Sequence, residues 1–570
     1  MHLRKKKYLL LSLSAAALFF FCRLAAEATE PYRNQEILFS IEDSFCSSDC
    51  FLTLSTFLDS SIYYTTDGSI PDSSSSLYQE PILLSADAST QAAVIRAVAI
   101  YKDGSQSDVY TKTYFTGSGV QERFSSLIVS LSADPETFYD YDSGILMSGR
   151  LRDDYAMEHP GESFDDTAPA NYNLRGPQSE RRVHAEFFDA DGSPLLSQDI
   201  GIRVHGAASR GSDMKSLRLI ARKSYGGSRF TAELFPENDS GSASSIQEYQ
   251  KLLLRNHGND QEYGYIRNEL AQRLAEDAGF PDTVRFRPAA VYLNGEYYGF
   301  EWFEETFDDT YFDTHYGKSR DSGIWMTAEP HRGEPEAVTG SEEEKLVLDG
   351  IRRLYSYAGK DLRNDETFAE LEQLLDIDNF LFYNAIEIYL ANPDWPDNNM
   401  KLYRWDSDSG SCSAPCRDGK WRCLLYDLDL SMDRIPDSSA ENPSLSEALG
   451  GVSGAWDRSE PLLQAILQRE DMQLRFAEIM EELINGAFSP SHACGVLDEL
   501  HAGMEQELAY YIEYLALSDE TSPDLYFLQH QLETDKIKDF FAERPARMRQ
   551  ELKKLPACSA PSQSATISKL

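Results

Sequence analysis

The sequence predicts an α+β fold: a small all-β sandwich, then a larger unit that begins in strands and ends in helices. Three observations carry this expectation. Residues 35–116 hold short alternating apolar runs broken by Gly, Ser and Asp, with no helical period. Residues 200–435 mix strand-like and helix-like stretches. From about residue 455 onward, apolar residues recur at helical spacing.

Residues 1–28 read as a secretory leader and are set aside from the fold. "MHLRKKK" is basic, "YLLLSLSAAALFFF" is apolar but short for a bilayer, and "AEA" ends at Ala28 in an A-x-A pattern. The mature chain is therefore expected to be secreted, outside the cell or in its envelope, with no membrane span. The "LFFF" before Cys22 lacks the small residues that precede a lipidated cysteine.

Beyond the leader seven cysteines remain, and in an exported protein they read as disulfides with one left over. Cys46 and Cys50 are close enough in sequence to pair. Cys412, Cys416 and Cys423 cluster, but no fourth ligand or His accompanies them, which disfavours zinc. The formal net charge of -41 repels phosphate backbones and argues against nucleic-acid partners.

In the first unit, "SIYYTTDGSIPD" alternates and then meets Asp67-Gly68, a hairpin signal. The stretch "IYYTTDGSIPDSSSSLYQEPI", continued by "VIRAVAIYKDGSQSDVYTKTYF", resembles the small β-sandwich module found at the C-terminus of chitobiases. The likeness covers residues 35–116. It implies a spacer or packing partner, with glycan binding as a further role.

The second unit starts near residue 123. "LIVSLS" and "VHAEFFDADGS" read as strands, and "IGIRVHGAASRGSDMKSLRLIARKSYG" reads as strand, glycine-bounded turn, strand. "YIRNELAQRLAEDAG" is an amphipathic helix stopped at Gly279. "AAVYLNGEYYGFEWFEE" is a hairpin about Asn294-Gly295, and "IDNFLFYNAIEIYLAN" is helical. A D-x-x-x-x-N loop and an apolar strand ending in Asp-x-Asp follow. Protein kinases use the same order of parts.

The spacing suggests roles. Asp394 and Asn399 stand five apart, as a catalytic Asp and a metal-binding Asn do in that chemistry. Asp427 and Asp429 would close the metal site from one side of an extended chain. Lys215, beyond the turn that holds Gly206, Ser209 and Arg210, is assigned to phosphate, with Glu269 as its helix partner. Gly211 is followed by Ser-Asp, so the turn is no P-loop. Arg255 and Arg267 flank the start of that helix, and Glu305 ends the second hairpin strand where a hinge would meet adenine. His205 and His257 are assigned core or turn roles. A glycosidase would need two carboxylates fixed across a sugar bond, and nothing in the sequence fixes them.

Five blocks in order, "IRVHGAASRGSDMKSLRLIARKSYG", "LLLRNHGNDQEYGYIRNELAQRLA", "VYLNGEYYGFEWFEETFDDTYF", "NPDWPDNNMKLYR" and "LLYDLDLSM", resemble the CotH spore-coat kinase family. The likeness spans residues 123–556 and leaves 557–570 as a frayed tail. It implies an atypical, two-lobed kinase-like fold with a helical C-terminal part. It also implies ATP with Mg2+ or Mn2+, and transfer to Ser or Thr of a secreted or surface protein. By the same likeness Asp394 is catalytic, Asn399, Asp427 and Asp429 hold metal, and Gly206, Ser209, Arg210, Lys215, Arg267, Glu269 and Glu305 lie about the nucleotide. Two departures stand out: Trp395-Pro396 inside the loop, and the cysteine-bearing insertion "DSDSGSCSAPCRDG" after it. The rival expectation is a catalytically inactive, kinase-like surface adhesin that binds glycan through its β-sandwich.

Overall fold

The computed structural model describes residues 37–87, 89–235, 246–316, 324–331, 334–335, 342–406, 418–450 and 458–559. The expected leader, Cys22, Cys412 and Cys416 lie outside the described residues.

Three antiparallel strands dominate the N-terminal unit: β1 (Ser60–Thr65), β2 (Gln91–Tyr101) and β3 (Tyr110–Thr116). Residues 94–99 of β2 are buried on both faces. One face, with Ile95, Ala97 and Ala99, covers the unit's own core. On the other, Phe115 of β3 packs edge-on against Phe188 and Tyr292 of the next unit, at centroid distances of 5.6 and 5.2 Å. Thr113 donates to the buried Glu186 carboxylate at 2.6 Å across the same boundary. The two units therefore share a core. Asp67-Gly68 does not close a two-residue hairpin, because β1 next pairs with Ser76–Leu77 across a longer loop. Cys46 and Cys50 are free thiols, as are Cys423, Cys494 and Cys558, so the described cysteines form no disulfide.

The second unit opens with a closed seven-stranded barrel. Its strands are β4 (Leu127–Ser132), β5 (Arg181–Phe188), β6 (Pro194–Val204), β7 (Leu217–Ile220), β8 (Lys251–Arg255), β9 (Phe286–Leu293) and β10 (Glu296–Glu304). The order around the barrel is β4-β5-β6-β7-β8-β10-β9, closed by a parallel β4·β9 pair. Alternate residues such as Val129, Val183, Ile202, Leu219, Leu254, Val291 and Phe303 fill its interior. The expected Asn294-Gly295 hairpin is present, with φ of 51° and 86°. Gly295 is required twice over, since a Cβ there would also lie 2.8 Å from the Ala92 carbonyl oxygen.

Helix α1 (Arg267–Asp277) begins where the Asp260 carboxylate accepts the backbone N–H groups of Ile266 and Arg267, at 2.8 and 2.9 Å. A three-stranded sheet follows: β11 (Ile324–Ala328), β12 (Lys401–Asp406) and β13 (Arg422–Leu424). Helix α2 (Ile377–Leu390) is capped by Asp376 and ends at Ala391, whose φ is 53°.

The rest is helical: α3 (Glu470–Asn485), α4 (Pro490–Ser518) and α5 (Pro523–Leu552). Arg544 of α5 is fully buried and donates to the carbonyls of Ile388, Tyr389, Ala440 and Asn442 and to the Ser444 hydroxyl. That contact fixes the C-terminal end of α2. Residues 557–559, expected to belong to the tail, lie in the short helix Pro556–Ser559 with Ala557 and Cys558 buried, and the rest of the expected tail lies outside the described residues. No helix among the described residues is long and apolar enough to cross a membrane.

Candidate active site

The end of α2 sets the loop that follows. Asn392 donates to the buried Glu387 carboxylate at 3.0 Å, and its side-chain oxygen accepts the Asp394 N–H at 3.2 Å. The Asp394 carbonyl accepts from Asn398 N–H at 2.8 Å, so the chain folds back on itself. Asn399 then donates its side-chain amide to Asp394 Oδ2 at 3.1 Å. The unexpected Trp395 is buried beneath this turn, ahead of a cis bond to Pro396. Asn399 and Asp427 both hold positive φ, 55° and 61°, strain that side-chain contacts must offset.

After β13 the chain brings Asp427 and Asp429 to the end of β8. One Arg255 nitrogen lies 2.9 Å from Asp427 Oδ1 and 2.7 Å from Asp429 Oδ2. Asp429 is buried and also accepts from the Asn259 backbone and side chain, at 2.9 and 3.1 Å. Asp427 keeps 37% of its side chain exposed, so it faces the open side. Gly258, with φ of 58°, permits this approach: a Cβ there would lie 1.9 Å from Asp429 Oδ2.

The carboxylates feel one another. Burial, and then the Asp429 charge, push the Asp394 carboxyl up to about 6, against a weaker pull from Arg458. Burial, repulsion from Asp429 and repulsion from Asp394 raise Asp427, while Arg255 lowers it. Glu387 is pushed up to about 8, chiefly by burial. Asp394 and Asn399 thus form one hydrogen-bonded pair and Asp427 and Asp429 share Arg255, and the carboxylates of the two loops are near enough to raise each other's proton affinity.

Oxygen donors of this kind suit a hard divalent cation: the Asp427 and Asp429 carboxylates, with the Arg255 guanidinium now between them where positive charge is wanted, and the Asn399 amide on the loop of Asp394. Among the described residues, no three His, Cys, Asp or Glu side chains form a ready-made cage. An ion here would complete its shell with water and phosphate oxygens, the usual habit of Mg2+.

The other expected site residues are placed differently. Lys215 precedes β7, and its ammonium donates to the Ser212 carbonyl at 2.7 Å and lies 4.6 Å from the Tyr172 ring. It does not pair with Glu269. The basic partner of Glu269 is Arg255, at 3.7 Å. Arg210 is spent on backbone, donating to the Gly206 and Tyr172 carbonyls at 2.7 and 2.8 Å. Ser209 belongs to the short 3-10 turn Ala208–Gly211, where its carbonyl accepts from Asn256 at 3.4 Å. Arg267 is fully buried between Asp260 and Glu533 and cannot reach a ligand. Glu305 is also inward, accepting from the Arg285 N–H at 3.0 Å and meeting His315 at 2.8 Å. His257 bonds to the Phe300 carbonyl at 2.9 Å, a turn role.

Arg255, Asn259 and Gly258 are the residues that sequence reading left without a role at the site. Their signal was the "RNHGN" that follows the apolar run "LLL", a strand end turned sharply by glycine.

A family model described as CotH kinase protein matches residues 202–548, more than half of the chain. One described as Fn3 associated matches residues 52–114, within the N-terminal β unit. No curated protein matches the chain. The five sequence blocks quoted above lie within the first match, and the last two hold Asp394, Asn399, Asp427 and Asp429. The chain belongs to the CotH kinase protein family.

Proposed function

We propose that the protein is a secreted, two-lobed atypical kinase that moves the ATP γ-phosphate to a Ser or Thr hydroxyl of an exported or surface protein. The observation that supports this reading is the Arg255 guanidinium bridging Asp427 and Asp429 beside Glu269, with Asp394, held by Asn399, close enough for the Asp429 charge to raise its carboxyl. A kinase lobe places a basic strand residue against a helix glutamate beside its metal-binding Asp. Here β8 supplies the base as Arg255 and α1 supplies Glu269.

Each residue then has a task. Asp427, Asp429 and Asn399 would hold Mg2+ or Mn2+, which supplies charge neutralisation on the β- and γ-phosphates. Asp394, ionised at neutral pH, orients the acceptor hydroxyl and accepts its proton. The hydroxyl oxygen forms a bond to the γ-phosphorus as the bond to the β,γ-bridging oxygen breaks, leaving ADP. Asn399 holds the Asp394 carboxylate in line, so most of the rate comes from positioning and charge.

Incubation of purified protein with labelled ATP, Mg2+ or Mn2+ and a Ser/Thr-rich acceptor tests the reading. Transfer by wild type, lost in Asp427→Ala, is expected.

A further inference from the structure

Arg255 is surrounded by four carboxylates. It bonds to Asp427 and Asp429 at 2.9 and 2.7 Å, yet stands 3.7 Å from Glu269 and 3.9 Å from Glu304, beyond hydrogen-bond reach. Its second terminal nitrogen has no hydrogen-bond partner, and neither has Glu304 Oε2, although both atoms are buried. The idle nitrogen stands nearest Glu269, and Glu304 is approached by the guanidinium's Nε through its other oxygen, so a donor and an acceptor in the same buried cluster are both left unused, which is costly.

We propose that Arg255 is the residue that couples metal loading to the seating of α1. Without metal, its guanidinium bridges Asp427 and Asp429 and stands in for the ion. When a divalent cation takes those carboxylates, the guanidinium turns onto Glu269 and Glu304. The exchange balances: two positive charges replace one at the aspartates, and the released one meets the glutamates. It also uses both idle atoms. Glu269 lies on α1 and Glu304 on β10, so the released guanidinium would tie helix and barrel together.

This inference rests on the reading of Asp427 and Asp429 as metal ligands, and the experiment separates the two. Mn2+ is titrated by calorimetry into the full chain without nucleotide. Arg255→Gln removes the competing cation and is expected to bind Mn2+ about tenfold more tightly than wild type, within the usual range for coupled sites. Glu304→Gln removes the landing place and is expected to bind several-fold more weakly. A folded Arg255→Gln that binds Mn2+ no better than wild type overturns the exchange while leaving the metal site standing. Should Arg255→Gln not fold, unchanged Mn2+ affinity in Glu304→Gln overturns it instead. Absence of Mn2+ binding in wild type and both variants overturns the metal reading and the exchange together.

Discussion

The side-chain amide of Asn399 donates to Asp394 Oδ2 at 3.1 Å, tying together the two ends of the loop that follows α2. The loop is therefore closed around its own acid. The positive φ of Asn399 is the backbone cost of that closure.

The first prediction concerns Asp394 and pH. Its folded-state carboxyl is raised from 3.8 to about 6, so the folded protein holds the proton more tightly than the unfolded chain. Ionisation then costs stability. The cost is absent below about pH 4, grows between pH 4 and 6, and is complete above, reaching up to about 3 kcal/mol. Asp394→Asn should raise the midpoint of thermal unfolding at pH 8 and leave it unchanged at pH 4. The same substitution should abolish transfer.

Asp427 and Asp429 should separate stability from function. Asp429 is buried and accepts from Arg255 and twice from Asn259, so Asp429→Ala should cost about 3–5 kcal/mol by leaving a buried guanidinium half unpaired. Asp427 is partly exposed, and its charge is already disfavoured by burial and by Asp429, so losing its solvent-screened pair with Arg255 in Asp427→Ala should cost about 1 kcal/mol or less. Urea unfolding measures both. Equal costs would contradict this placement of the two acids.

Arg544 fixes the end of α2 through four carbonyls and a hydroxyl. Arg544→Leu leaves those carbonyls buried without donors and should cost about 3–5 kcal/mol in denaturant unfolding. Any surviving folded protein should lose catalytic rate more than nucleotide affinity, because the Asp394 loop starts where α2 ends.

Much of this was legible in the sequence, for physical reasons that can be named. Asn294-Gly295 between alternating apolar residues dictates its hairpin locally, and α1 announces itself by apolar spacing and a glycine stop. The spacing of Asp394 and Asn399 is likewise local. Long-range pairing is not. Lys215 and Arg255 are both basic residues near strand ends, and only the barrel's closure decides which one reaches Glu269. Arg267 and Glu305 were charged residues expected to face a ligand. They turn inward because Asp260, Glu533 and His315, remote or unremarked in sequence, satisfy them there. For the β unit the likeness implies a spacer or packing partner, and nothing in its alternation chooses the second or says that Phe188 and Tyr292 cover its other face.

That shared face gives a further prediction. Phe115 is fully buried between the two units, so Phe115→Ala should cost about 3–5 kcal/mol. Removing residues 37–118 should expose the apolar barrel face and yield aggregated protein. A soluble, monomeric truncation with an unchanged unfolding midpoint would contradict the shared core.

Ligand-induced stabilisation offers a quick comparison between kinase and adhesin. A ligand bound only by the folded state raises the unfolding midpoint. ATP with Mg2+ or Mn2+ should raise it in wild type and not in Asp427→Ala. A rise with chito-oligosaccharide and none with ATP would favour the glycan-binding alternative.

The most direct measurement is the rate of labelled phosphate transfer from ATP to a Ser/Thr-rich acceptor, for wild type and Asp427→Ala, with each metal. The account predicts metal-dependent transfer by wild type and a loss of about a thousandfold in the variant. Equal transfer by Asp427→Ala, or none by folded wild type with either metal, would contradict it.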